Sequence, residues 1–326
     1  MSSLVIGDSL LKNLYRHPSH KLIFRPGYSL VQFLEDICLG VFDTDLESVS
    51  TVIFLVGAND VPLLKPENVV HLLVACAQAL LTRKRGLKVG VCSLLPQPKD
   101  GGLYMPAIRA VNAVLKSIAI SYGFTYLFVA KPFLFGNKPN LSYFTSDGLH
   151  LTKKGDKSLF NSFCSVLYST PNKLLRSTCQ QPPITAFKQQ AAPLSNFYPC
   201  NINYNGRGFH CVEQAYQFHK ALHHETYDLG DSILGAGDAA LSKRLGSGIR
   251  VNPSWVRNKA SVIFQLLCVK SASCPLYKAV LLENPKAIFL EDTKNRFWGA
   301  GSSGEGRNTL GCLHIWVRNL IQRGLL

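Results

Sequence analysis

Long apolar runs are missing from this chain of 326 residues. The nearest approach, Leu72–Leu81, is broken by Gln78 and falls well short of the roughly 20 residues a membrane span needs, so no membrane role is expected. The amino terminus carries no basic segment followed by an apolar stretch and a cleavage site, the pattern of a secretory signal. Cysteines are present at 38, 76, 92, 164, 179, 200, 211, 268, 274 and 312, but no two form a CxxC pair. Neither a zinc site nor a disulfide framework is therefore indicated, and no metal or cofactor is called for. Scattered thiols without a signal point to a cytoplasmic setting, with the nucleus as alternative. Acidic residues are scarce: 20 Asp+Glu oppose 35 Lys+Arg, for a net charge of +15. The excess is shared, +6 over residues 1–169 (17 basic, 11 acidic) and +9 over the remainder (18 basic, 9 acidic). No long basic tract stands out. The densest cluster, Arg83-Lys84-Arg85, reads as the positive end of a helix, which the helix dipole favours; an anionic partner, nucleic acid or nucleotide, stays open.

What is present reads as a globular protein with room for two domains: 47% of residues are hydrophobic and the mean hydropathy is +0.09. Through residue 168 the rhythm is strand, loop, helix. Apolar strands are read at Leu4–Ile6, Lys21–Phe24, Thr51–Val56, Lys88–Leu95 and Thr125–Val129, and helices at Leu10–Tyr15, Leu30–Leu39, Pro66–Arg83, Ile108–Tyr122 and Lys153–Leu167. This alternation predicts a parallel sheet with helices on both faces. The polar segments Gly7-Asp8-Ser9, Gly27, Gly57-Ala58-Asn59-Asp60 and Asp147-Gly148-Leu149-His150 then fall on one rim of that sheet. Ser9 is not in a GxSxG elbow, and alone it would read as a helix N-cap. Taken together the set suits acyl transfer. A serine hydroxyl needs a base, which His150 can supply, and Asp147 can orient the imidazole and stabilise its cation. The backbone N–H groups of Ser9 and Gly27 and the amide of Asn59 are candidate donors to an oxyanion.

Gly7-Asp8-Ser9-Leu10, Gly27, Gly57-x-Asn59-Asp60 and Asp147-x-x-His150 resemble the ordered blocks of the SGNH/GDSL hydrolases, over nearly all of residues 1–169. The resemblance implies a flavodoxin-like three-layer α/β/α sandwich and hydrolysis of esters, sometimes of acetyl groups. It makes Ser9 the nucleophile, puts Gly27 and Asn59 in the oxyanion hole, and completes the triad with Asp147 and His150. Few insertions are available to build a lipid-binding lid, so a small acyl ester of a soluble molecule is the expected substrate.

Thr170–Pro183, rich in Pro, Gln, Ser and Thr, reads as a linker to a second domain over residues 184–326. There a hairpin is expected to turn at Asn205-Gly206, followed by a helix over Cys211–Lys220 with Glu213, Gln217 and Lys220 on one face. Trp255 and Lys259 begin a helix running to Ser271, and Leu310–Ile321 closes the chain as another. Gly299–Gly304 spell GxGxxG, but no clear strand precedes them and too little chain follows for a dinucleotide fold; a phosphate cradle ahead of a helix stays open. Ser195-Asn196-Phe197, Glu213-Gln214-Ala215-Tyr216-Gln217-x-x-Lys220, Trp255, Trp298-Gly299-x-Gly301 and Asn308-x-x-Gly311 resemble the NADAR superfamily. That resemblance implies a mostly helical α+β fold and N-glycosidase chemistry on an ADP-ribose or nucleotide-like ligand. Glu213 would stabilise an oxocarbenium ion or activate water. Trp255 would stack on a base and Lys220 with Arg307 would hold phosphate, with Trp298 and Asn308 as further ligand-binding candidates. Asn295 stands where the family usually has an acid, so either Asp292 substitutes or the domain binds without turnover. Three readings follow: an esterase fused to an N-glycosidase, an esterase carrying a nucleotide-binding module, or an interaction protein such as a mobile-element accessory.

Overall fold

Leu4, Val5 and Ile6 are completely buried because the strand that carries them is central. In the computed structural model, which describes residues 2–14, 20–168, 182–187 and 192–326, β1 (Ser2–Gly7) lies between β2 (His20–Phe24) and β3 (Val49–Leu55). With β4 (Lys88–Cys92) and β5 (Thr125–Leu127) they form a wholly parallel sheet in the order β2-β1-β3-β4-β5. The accompanying helices are α1 (Leu30–Leu39), α2 (Asp43–Glu47), α3 (Pro66–Arg83), α4 (Met105–Ile118) and α5 (Lys153–Tyr168). Adjacent residues of β3 show why its strands lack polar alternation. Phe54 meets Phe33 of α1 edge-on at 5.6 Å, whereas Ile53 joins a cluster containing Leu159 and Phe163 of α5. Both faces are therefore covered. This is the flavodoxin-like α/β/α sandwich.

Local chemistry explains the helix ends. Ser29 and Gln32 form a capping box at the start of α1, Gly40 ends it in the left-handed conformation, and Pro66 opens α3 at a position where a missing N–H costs nothing. The helix read at Leu10–Tyr15 is instead one 3-10 turn, Ser9–Leu11, with Tyr15 outside the described residues. Arg83 and Lys84 do stand at the end of α3, as read, and both are also held by partners. Arg83 is buried and grips Asp43 at 2.6 and 2.8 Å, and the Lys84 ammonium donates to the carbonyls of Leu46, Glu47 and Val49.

The chain divides into two compact units, Met1–Pro183 and Ile184–Leu326. Of the linker read over residues 170–183, only residues 182–183 are among those described. A small hairpin, β6 (Leu134–Phe135) with β7 (Lys138–Pro139), completes the strands of the first unit. The second unit is rich in helices. It contains β8 (Ile184–Phe187) and the hairpin β9 (Ile202–Tyr204) and β10 (Arg207–Phe209), whose turn residues Asn205 and Gly206 both have positive φ. Then come α6 (Val212–His223), α7 (Tyr227–Leu234), α8 (Ala239–Ser247), α9 (Pro253–Ser273) and α10 (Pro275–Glu283). Strand β11 (Ile288–Glu291) pairs in parallel with β8, and α11 (Thr309–Gln322) closes the unit with an almost wholly buried surface. Among the described residues, no single helix is long and apolar enough to cross a membrane, and none of the cysteines is in a disulfide.

Candidate active sites

In an open sheet of this order, the crevice for a ligand opens past the carboxyl ends of β1 and β3, where the winding reverses. Ser9 begins the 3-10 turn just beyond β1, and Asn59 lies in the loop just beyond β3. These loops are fastened to the one after β2. The Asn59 amide donates to the Tyr28 carbonyl at 3.0 Å, and both oxygens of the Asp60 carboxylate accept the Leu30 N–H at 3.0 Å. Gly27, beside Tyr28, has φ +76, so its backbone conformation calls for glycine, and the space where a Cβ would stand is open.

Asp147 and His150 occupy a tight loop closed by the Thr145 N–H to His150 carbonyl bond of 2.8 Å. His150 Nδ1 lies 2.6 Å from Asp147 Oδ2. The other oxygen, Oδ1, accepts from the Thr145 hydroxyl at 2.6 Å and from the N–H groups of Leu149 and His150 at 2.8 and 2.9 Å. These donors, the Thr145 hydroxyl foremost, hold the Asp147 carboxyl well below the usual range. An ionised carboxylate only accepts, so Nδ1 carries hydrogen and Nε2 is left basic. Both side chains are about half exposed (46% and 48%), open to a substrate. Among the described residues no hydrogen bond joins Ser9 to His150, and in ligand-free sites such contacts are commonly long. His150 nonetheless lies near enough to act electrostatically on Asp8, the neighbour of Ser9.

Asp8 was not singled out from the sequence. It caps the Ser9 turn, its Oδ1 accepting the Leu10 N–H at 3.0 Å, and the Ala58 backbone N–H also supports its anion. Burial first, with repulsion from Asp60 behind it, pushes its pKa up to about 6.

The second unit holds a cavity of about 260 Å³. Helix α6 contributes Glu213, Gln217 and Lys220 to it, and α8 contributes Lys243. Glu291, Asn295 and Trp298 line it from the end of β11 onward. The Gln217 amide donates to Glu213 at 2.8 Å, and the buried Lys220 ammonium donates to the Gly246 carbonyl at 2.8 Å. Burial raises the pKa of Glu213 and lowers that of Lys220. Glu291 is pushed up to about 7, again by burial first, with Lys243 pulling it down and the Glu213 charge pushing it further up. Glu291 escaped the sequence reading. The available signal was the first of two adjacent acids, Glu291 and Asp292, ending the apolar run Ile288-Phe289-Leu290.

Several expected ligand contacts lie elsewhere. Asp292 is exposed and does not line the cavity, because successive residues leaving a strand point to opposite sides. Trp255 is only 3% exposed, packed at 5.3–6.0 Å ring separations against His223, Tyr216 and His224, and cannot stack on a base. Arg307 is exposed and lies near Lys259, not among the cavity residues, so it is not joined with Lys220 in a clamp. Asn308 is buried and structural: its side chain accepts from the Glu291 N–H at 3.1 Å and donates to the Phe289 carbonyl at 2.7 Å. Asn295 lines the cavity, but its carbonyl accepts the N–H groups of Phe297 and Trp298 at 2.9 and 3.0 Å. The glycine-rich loop has a packing explanation: a Cβ on Gly299 would meet the Glu291 carbonyl at 2.5 Å, and one on Gly306 would meet the Gly299 carbonyl at 2.1 Å.

Comparison with known proteins divides along the same line. Residues 185–322 match the family model for the NADAR domain. The chain is 30% identical over 156 residues to a riboflavin biosynthesis protein of Vibrio vulnificus, covering 45% of this chain and 41% of that protein, so it spans less than half that relative's length. The solution structure of the Escherichia coli protein YbiA is similar with a TM-score of 0.40 at 24% identity, covering 44% of this chain and 88% of its own. Over the first half, a GDSL-like lipase from Bacteroides thetaiotaomicron is similar with a TM-score of 0.45 at 20% identity, covering 52% of this chain and 89% of its own.

Proposed function

We propose, for a chain whose residues 185–322 are a NADAR domain and whose first unit is a flavodoxin-like sandwich, that it is a hydrolase with two independent sites. The first is a serine esterase. Ser9 Oγ attacks the ester carbonyl while His150 Nε2 takes its proton, and Asp147 steadies the imidazolium. The oxyanion is met by the N–H groups of Ser9 and Gly27 and by the Asn59 amide, each such donor being worth roughly 3 kcal/mol. His150 then protonates the departing alcohol, and water repeats the sequence on the acyl-enzyme. The observation that carries this reading is the 2.6 Å Asp147–His150 pair, with Nε2 left basic, on the sheet rim where Ser9 starts its turn. Compact loops favour a small acyl group on a soluble molecule. Hydrolysis of p-nitrophenyl acetate and labelling by a fluorophosphonate probe test it: both should vanish in Ser9→Ala, and equal behaviour of the two proteins would sink the esterase.

The second site is read as an N-glycosidase for a ribosylated heterocycle of the ADP-ribose or nucleotide type. Glu213 supports the cationic transition state at the ribose C1′ or activates water, and the two lysines of the cavity suit an anionic, phosphorylated ligand. The name of the Vibrio vulnificus relative favours the same substrate class. Release of ADP-ribose from modified guanine should be lost in Glu213→Ala. A binding module without turnover is favoured by one observation, the amide of Asn295 in place of an acid. Saturable ADP-ribose binding with no product would select it.

A further inference from the structure

Two carboxyls face the cavity of the second unit, and the mechanism above uses one. Glu213 and Glu291 come from different elements, α6 and the end of β11, yet lie close enough that charge on the first opposes ionisation of the second. Like charges sharing a desolvated site do not ionise together easily; the better-supported one takes the charge. That one is Glu213. It accepts the Gln217 amide at 2.8 Å, and both Lys220 and Lys243 favour its anion. Glu291 has Lys243 in its favour but Glu213 against it, and its Oε2 is buried with no hydrogen-bond partner among the described residues. An orphaned oxygen at a cavity wall is what a neutral carboxylic acid awaiting an acceptor looks like. The backbone that carries it is pinned by Asn308.

Resting on the glycosidase reading of this unit, we propose that Glu291 is the acid that protonates the departing nitrogen, while Glu213 is the base for the attacking water. The C1′–N bond breaks with its electron pair on nitrogen, which takes the Glu291 proton. The oxygen of water bonds to C1′, and its proton passes to Glu213. Moving that proton from Glu213 to Glu291, directly or through solvent, restores the starting state. A carboxylic acid is needed here only if the nitrogen would otherwise leave as an anion. The substrate class is therefore a neutral N-riboside, of a heterocycle or an exocyclic amine, and not a pyridinium, which leaves uncharged without help. Asn295 has no proton of that acidity to give, and the turn it holds accounts for its side-chain carbonyl.

Leaving-group dependence tests this on the full chain. The substrates are ADP-ribosylated guanosine, whose nitrogen needs a proton, and 4-nitrophenyl riboside 5-phosphate, whose phenolate does not. Glu291→Gln should lower kcat on the first by about 10²–10⁴-fold and on the second by less than about tenfold. It should also remove the fall in rate on the first substrate as pH rises through about 7. Glu291→Asp should recover part of the loss, which a purely structural role would not produce. Glu213→Gln should slow both substrates. Equal losses on the two substrates in Glu291→Gln, or no loss, would overturn the assignment while leaving the glycosidase reading intact. A wild-type chain that cleaves neither would remove both.

Discussion

Asp8 accepts the Leu10 amide, and burial nonetheless raises its pKa to about 6 from the ordinary 3.8. The folded state thus prefers the protonated acid. That preference contributes fully below about pH 4 and is lost as pH rises through about 6. Asp8→Asn keeps a capping oxygen and cannot ionise. At pH 8 it should be more stable than wild type by about 1–3 kcal/mol, with the difference closing by pH 4, as measured by urea denaturation at the two pH values. At this scale the first site could be proposed because its residues sit in ordered blocks around Ser9, Asn59 and His150. Glu291 could not, since two adjacent acids, Glu291 and Asp292, follow the apolar strand and no local pattern says which of them faces the cavity. Trp255 was misread for a related reason: an aromatic at a helix start serves a ligand or a core equally well until the neighbours are known, and here these are Tyr216, His223 and His224.

Among elements, the end of α3 is the positive terminus that its three consecutive basic residues suggested, and Arg83 there also ties α3 to α2 through a bidentate, buried pair with Asp43. Arg83→Met would leave that carboxylate without its guanidinium and should cost about 3–5 kcal/mol, seen as a lower urea midpoint with little change in slope. The central strands β1, β3 and β4 were legible because they are largely buried and so mostly apolar. Strand β8 escaped notice. Its four residues, Ile184–Phe187, are paired with Ile288–Glu291, and no local periodicity reports a partner so far along the chain. The turn at Ser9 came out shorter than its apolar pattern because Asp8 caps a 3-10 turn there.

For the molecule as a whole, each candidate site draws its residues from a single unit, Ser9 to His150 from the first and Glu213 to Trp298 from the second. The two activities should therefore separate by mutation. Ser9→Ala should abolish ester hydrolysis and leave N-riboside cleavage within about twofold, and Glu213→Gln should do the reverse, with both assays run on the same preparations. Cross-inhibition by either variant would contradict the independence of the sites.

Alternation of apolar strands with amphipathic helices was sufficient to specify the parallel sandwich, because it is a property of residues close together in the chain, and the order of the blocks was sufficient to propose a serine site. Which of several acids faces the second cavity, which tryptophan is exposed to it, and whether a basic run meets water or a buried carboxylate were decided only by tertiary structure. Those outcomes depend on burial and on neighbours more than a hundred residues away in one case, Phe187 beside Glu291, and desolvation, which sets the proton on Glu291, exists only once the cavity has closed around it.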